Sequence, residues 1–546
     1  MFNRIKRLFL LFLLCFWGAA AYSVDPPESA SRLFLDFSKS VGLADAALSE
    51  SMPDNSAQEL EGVDLQRNHN LSRRMGYNDF VRVPGVAYGG FNNLVHVFKS
   101  TAGCERILYR DGRKTVKDYP YNTNSVGSDF QEFSVGFGEA DFVRFGGASY
   151  LVTESSPGFR FYHKYSTACS GFLQSLGGVY VPAIPRGKYA QTHLDRLLVA
   201  GVSTAPLTIF YSEENEPENF DVANTIEIPA TKDTAITGIG PTIFGNALVY
   251  GENSTRLLSG NVFPSAGTGG NISVRTISDT IGAVHHKTIK NFGSGRQYFL
   301  SSGNNGIAPG IYYFNGVGIV EATKHCRDFF KGINTSSSGI IPNAYVTEDE
   351  YCVYVASKAG IYPNIRVCID LNNRITVSSG TPVAHTDTYK GVVYGITANE
   401  SWDAQNIFYI GLNNKDMLES NSAFTKNINW RYKTKDYRLS TGLKTSVADR
   451  AYVNFESYSG TFTVVANFDF GQSSAVFVVN TSSLANASNN VALLGRSNPN
   501  RSTRHLRFPN DKKFTYVNFD FFGNDSSTSS INYFDFYFRQ EETITR

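Results

Sequence analysis

Short apolar runs of four to seven residues recur from about residue 80 to 435, each ended by Gly, Asn, Asp, Ser or Pro. Among them are "LVHVFKS", "RILYRDG", "ASYLVTESS", "RLLVAGV", "LTIFYS", "NALVYGE", "RQYFLSS", "GIYYFNG", "YCVYVAS" and "IRVCIDL". Such runs are too short for stable helices and lack a 3.6-residue period, so they predict an all-β region. The composition agrees. The 546 residues include 41 Phe, 30 Tyr and 48 Gly, with only 18% charged residues. Aromatic side chains suit a pleated surface, and glycine supplies the positive φ of tight turns.

The strands group loosely in fours. About 355 residues divided by the roughly 40–50 of a propeller blade gives seven or eight blades, so the architecture expected for 81–435 is a β-propeller with degenerate repeats. A jelly roll or a pair of sandwiches is the alternative. Residues 436–546 carry longer alternating strands, "AYVNFESYSGTFTVVANFDF" and "KFTYVNFDFFG", with Ser- and Asn-rich turns, which predicts a β-sandwich with Phe, Val and Tyr facing inward. Residues 24–80 form a mixed, extended lead-in, with a helix expected over about Ser31 to Leu48.

The first 23 residues are signal-like. Arg4, Lys6 and Arg7 precede an apolar run from Leu8 to Trp17 and then small residues, with cleavage expected after Ala21. The run is short for a membrane-spanning helix, so no stable membrane anchor is expected. Formal net charge is +1, which excludes binding of a polyanion by bulk charge.

Outside the signal-like segment the cysteines are Cys104, Cys169, Cys326, Cys352 and Cys368. Cys352 and Cys368 flank a Gly/Pro bend, and antiparallel register centred near Gly360 sets them opposite each other as a candidate disulfide; buried free thiols are the alternative. No nucleophile elbow, P-loop or dinucleotide fingerprint occurs. Nothing in the sequence pairs Asp141, Asp221 and Asp370 as glycosidase carboxylates. Adjacent His285 and His286 would point to opposite faces of a strand, and His325 beside Cys326 lacks a second ligand pair. No catalytic, metal or cofactor site is therefore expected. Sequons such as Asn253 and Asn271 are common in so Asn-, Ser- and Thr-rich a chain. The acidic run Glu213, Glu214, Glu216 and Glu218 reads as a solvated connection, with a cation site or partner contact as the alternative.

Several segments, taken in order, resemble the β-propeller proteins of the head-to-tail connector of tailed bacteriophages, the tail tubular B, nozzle and stopper group. "PDNSAQELEGVDLQRNHNLSRRMGYNDF" is similar to their opening, with Arg74, Gly76 and Tyr77. "HLDRLLVAGVSTAPLTIFYSEENEPENFD" is similar at Arg196, Gly201, Ser212, Pro217 and Phe220. "TAITGIGPTIFGNALVYGENSTRLLSG" and the stretch carrying Ile281, Gly282, Ser301, Gly306, Tyr312 and Gly316 resemble the units that follow. The likeness spans about 50–435 and is structural throughout. A Trp usual in that group is replaced here by Ile375 and Thr376.

The resemblance implies a non-enzymatic virion protein of the tail or neck, assembled in the host cytoplasm as a homo-oligomeric ring of six copies. Other connector or tail proteins would be its partners, and DNA would pass through without sequence-specific binding. An export signal does not belong on such a protein. The alternative is an exported, secreted or periplasmic, carbohydrate-binding or carbohydrate-active propeller, or an adhesin acting through the C-terminal sandwich.

Overall fold

A computed structural model describes residues 31–73 in short pieces, strands alone between 77 and 132, and 139–162 and 178–334 with small gaps. It continues in segments over 342–379, 393–420, 430–480, 501–523 and 529–542. Among the described residues strands account for 60% and helix for about 3%, so the chain is all-β. The fingerprint residues Arg74 and Gly76, the signal-like segment with Ala21, and Cys104 and Cys169 lie outside the described residues.

The middle of the chain is a succession of antiparallel sheets, numbered here I to VII. Sheet I comprises Val95–Lys99, Glu105–Asp111, Thr115–Pro120 and Ser128–Glu132. Sheet II comprises Ala140–Phe145, Ala148–Thr153, Phe159–Tyr162 and Gly178–Tyr180; sheet III, Tyr189–His193, Arg196–Ala200, Thr208–Tyr211 and Thr225–Glu227. Sheet IV is Ile236–Ile239, Ala247–Gly251, Thr255–Ser259 and Ser273–Ser278, and sheet V is Lys290–Asn291, Gln297–Ser301, Gly310–Phe314 and Ile319–Glu321. Sheet VI contains Asn343–Val346, Glu350–Ser357, Ile365–Asp370 and Ile375–Ser379. Sheet VII takes Val393–Ala398, Ile407–Gly411 and Asp416–Ser420, and then Tyr77–Arg82 from the far end of the chain.

In sheets I to VI these strands follow sequence order, as antiparallel neighbours joined by local connections do. In sheet III, His193 pairs with Arg196 across Leu194 and Asp195, both at positive φ (47° and 54°), a two-residue turn that matches strand twist. The second strands of sheets II to VI are buried on both faces, which is why "RLLVA" and "ALVYG" read as solid apolar runs rather than alternating ones. Leu197 and Val199 pack with Val143, Tyr150 and Val152 of sheet II, whereas Leu198 and Ala200 pack with Ile239, Ala247 and Val249 of sheet IV. Leu248 and Tyr250 in turn meet Phe299 and Phe314 of sheet V. Sheets II to V therefore stack face to face. First strands also adjoin: that of II lies against III, III against IV, VI against VII, and VII against I, while the turn before sheet V bridges IV and VI.

Two further layers share one core. In the first, Ser56–Glu61, Trp430–Thr434, Tyr516–Gly523, Thr461–Phe468 and Ser473–Asn480 run side by side. The second is built on Lys444–Ser457 and Ser529–Glu542, with Arg501–Arg507 at one side. Between them Phe519, Phe521, Phe534 and Phe536 interlock, with ring centroids 4.7 Å apart for Phe519–Phe534 and 5.3 Å for Phe521–Phe534.

The helix expected from Ser31 is a strand instead. Ser31–Asp36 pairs antiparallel with Ser529–Glu542. Alternation outweighs the weaker helical spacing: Leu35 is buried, while Arg32 reaches out to Asp535 through two hydrogen bonds (2.6 and 2.8 Å). The lead-in is thus woven into the C-terminal layers. Gly42–Leu43 runs parallel to Ser56–Glu61 and also meets Ile375, which joins sheet VI to the first layer as one continuous sheet.

Gly42 marks the tightest point of that seam. Its φ is +80°, and a Cβ there would lie 2.3 Å from the Ile375 carbonyl oxygen. Gly146 has a similar φ of +57° with nothing near its missing Cβ. Gly42→Ala should therefore cost about 3 kcal/mol, against about 1 kcal/mol for Gly146→Ala from backbone strain alone. Denaturant unfolding of the two variants checks the difference.

Candidate functional site

Among the described residues a cluster of buried titratable groups lies where the first strands meet. Residue 139 and Asp141 are at the start of sheet II, Lys188 and Tyr189 at the start of sheet III, and His285 and His286 in the turn that leads into sheet V. His286–Thr288 forms a single 3-10 turn after an extended His285, so the two rings do not alternate across a strand as expected. Both reach the same strand of sheet II. His285 Nε2 meets the Glu139 carboxylate, and His286 Nε2 lies 2.8 Å from Asp141 Oδ2.

The other ring nitrogens fix the tautomers. His285 Nδ1 accepts from the Lys287 backbone N–H (3.1 Å), and His286 Nδ1 accepts from the Ile239 N–H (3.2 Å). With Nδ1 accepting, each ring presents Nε2 to its carboxylate as the donor. Lys188 Nζ adds an ion pair to Glu139 at 3.2 Å and another to Glu154 at 3.7 Å. The Ala190 N–H donates to Asp141 at 3.2 Å. The Tyr189 ring packs edge-on to His285 and tilted against His286.

Burial opposes charge on Glu139, but His285 and Lys188 outweigh it and hold the carboxyl at about 2 rather than 4.5. Asp141 is likewise lowered, its burial overcome by His286, Lys287 and the Ala190 N–H. Burial drives His285 below its ordinary 6.5 despite Glu139. With both nitrogens of each ring engaged, neither imidazole keeps a lone pair for a substrate proton or a metal ion. The chemistry of the cluster is cohesion: it ties together the starts of sheets II, III, IV and V.

The resemblance residues of sheet III form a second joint. Arg196 is buried, donates to the Ser212 carbonyl (2.8 Å), and pairs with Glu213 (3.3 Å) and Glu214 (3.7 Å). Ser212 Oγ accepts from the Leu197 N–H at 3.0 Å. The acidic connection is more than a solvated loop. Glu218 accepts from Arg160 and, at 3.2 Å, from Tyr150 O–H, both of sheet II, while Phe220 packs on the core between sheets II and III. Pro217 lies in the bend between these contacts. Gly201 has a φ of +73°, and a Cβ there would meet Lys188 Cβ at 2.8 Å.

Cys352 and Cys368 are direct cross-strand partners in sheet VI, with Cα atoms 4.0 Å apart, and form a disulfide. Among the described residues the one metal-like grouping is Glu350 with these two cysteines, whose sulfurs the disulfide consumes. Cys326 is a buried thiol outside any disulfide, and its Sγ lies 3.5 Å from the Thr323 carbonyl. Asp141, Asp221 and Asp370 belong to three different sheets. Asp221 accepts from the Ala223 N–H and Asp370 from the Asn372 N–H, both ordinary turn contacts. Sequence reasoning missed the histidine cluster because its partners lie about 145 residues away; the adjacent pair "HH" was its only signal.

No family model matches the chain, and no curated protein is significantly similar to it. Among the described residues no helix is long and apolar enough to cross a membrane.

Two outcomes follow from these joints. The unfolded chain binds more protons than the folded one as pH falls below 6.5, first at His285 and then at the two carboxylates, so acid destabilises the fold. Thermal melts should show a midpoint several degrees lower at pH 5 than at pH 7.5, and His285→Gln with His286→Gln should flatten that slope. Protein made under oxidising conditions should yield a linked Cys352–Cys368 peptide pair, and its reduction should cost about 3 kcal/mol for a loop of this size.

Proposed function

We propose that sheets I to VII are the seven blades of one β-propeller, that the two C-terminal layers are a β-sandwich beside it, and that the protein is a non-enzymatic subunit of a phage-like tail nozzle or stopper ring. The blade reading is supported by the adjoining first strands and by Tyr77–Arg82 completing sheet VII, the usual way a propeller joins its ends. What carries the functional reading is that the connector-like motifs coincide with joints. Buried Arg196 and Ser212 tie the second and third strands of sheet III together, and Phe220 packs on the core that sheet III shares with sheet II.

A subunit that must hold its shape against neighbours and passing DNA benefits from such ties more than from a reactive pocket. Its near-zero net charge suits a conduit, since strong attraction would stall DNA and uniform repulsion would oppose its entry. Neighbouring copies and other tail components would be the partners.

One observation favours the rival reading of an exported propeller. Disulfides persist mainly in oxidising compartments, and the Cys352–Cys368 bond accompanies a signal-like N-terminus. The native mass of the purified protein and the N-terminus of its mature form separate the two. A ring-sized assembly, or a monomer that becomes a ring on a connector, supports the virion subunit. A stable monomer released after cleavage at Ala21 overturns it in favour of the exported protein.

A further inference from the structure

We propose that the edge strand Ser473–Asn480 is a self-pairing surface, which adds a strand from a second copy of this chain in antiparallel register about a two-fold axis through Phe477. Among the described residues this strand hydrogen-bonds to Thr461–Phe468 alone, and no described strand pairs with its other side. Soluble proteins blunt such edges with charge, proline or a bulge. None of these is present: the strand reads SSAVFVVN, and its register with Thr461–Phe468 is unbroken over all eight residues.

The side chains supply the second argument. Ala475 and Val479 point into the core, while Val476 and Val478 are 61% and 69% exposed. Across the sheet they adjoin Val465 and Thr463, and beyond Thr463 lies the exposed ring of Phe522. The apolar strip on this outer face therefore runs up to the open edge and stops there.

The occupant follows from symmetry. A two-fold axis perpendicular to the sheet keeps outer faces together, which requires that paired residue numbers share parity. An axis at Phe477 sets Val476 opposite the second copy's Val478, and Ala475 opposite its Val479. An axis at Val476 would set Val478 against a serine. The first register places four valines in one cross-strand patch, the kind of pairing that stabilises sheets, with no like charges opposed. A partner of different sequence would have no reason to match this symmetric pattern.

This contact is independent of the proposed ring, whose lateral contacts would be of another kind. The test is sedimentation velocity on the purified protein, beside the variant V476K/V478K, whose substitutions sit at exposed positions; its unchanged melting temperature establishes that it folds. Wild type should form dimers, or doubled rings where rings form, and the lysine variant should raise the dissociation constant at least tenfold. Register is read by cysteine cross-linking. Mixing V476C with V478C should give a 476–478 cross-link by peptide mapping, and neither alone should cross-link to itself. A monomeric wild type, an association unchanged in V476K/V478K, or cross-links in any other register overturns the proposal. Rings of unaltered mass in the lysine variant, with no 476–478 cross-link, would overturn the edge contact and leave the ring reading intact. Dimers that the lysines abolish, with no ring under any condition, would do the reverse.

Discussion

Four residues, 285–288, join strands of five sheets. His285 and His286 bind the carboxylates that begin sheet II, and Tyr189 of sheet III packs against both rings. Ile239 of sheet IV donates to His286 Nδ1, the Leu300 N–H of sheet V reaches Thr288 Oγ1, and Tyr351 of sheet VI donates to the Thr288 carbonyl at 2.6 Å. Five sheets converge on one turn. Stacked antiparallel sheets interact through apolar faces that specify distance but little rotation. Buried hydrogen bonds to fixed tautomers specify orientation, because each misplaced partner leaves a desolvated polar group at a cost of about 1–3 kcal/mol. The turn thus sets the angle at which the sheets stack.

A second constraint comes from the ends of the sequence. An open succession of sheets leaves its first and last members with exposed faces and edges. Here residues 77–82 complete the last sheet, and the segments before them pair with strands drawn from 430–542. The middle of the chain is therefore gripped from both sides, and separation of the termini requires breaking strand ladders rather than flexing a linker. Gly42 shows how closely the seam is drawn, since its backbone abuts that of Ile375.

The short apolar runs made the all-β class and the grouping in fours legible, because a buried strand and a tight turn are local properties. The Phe-rich alternation of the C-terminal strands was legible for the same reason, as was the opposition of Cys352 and Cys368 across a short bend. What local pattern could not supply was the use made of the lead-in. Ser31–Asp36 carries apolar residues at spacings that fit a helix weakly, and only a partner strand 500 residues away, with Asp535 waiting for Arg32, decides the matter. The same holds for the histidines. Read alone, "HH" suggests two rings pointing apart; a tight turn turns both toward Glu139 and Asp141. The acidic run at 213–218 was expected to lie in water, and Arg160 and Tyr150 of the adjoining sheet draw Glu218 inward.

The disulfide bears on where the chain folds. Cys352 and Cys368 lie on neighbouring strands that are buried over most of their length, so oxidant reaches the sulfurs only before sheet VI is covered by its neighbours. A chain folding in a reducing cytosol would bury the pair as thiols, and the packed sheets would then shield them from later oxidation. A chain folding after export would close the bond first. Because exchange needs access, the state of this pair in the folded protein is a record of the compartment in which the sheet was assembled until unfolding exposes the sulfurs to reductant. The virion and exported readings differ in that compartment, so two buried sulfur atoms distinguish them even though every other joint described here would serve either protein equally well.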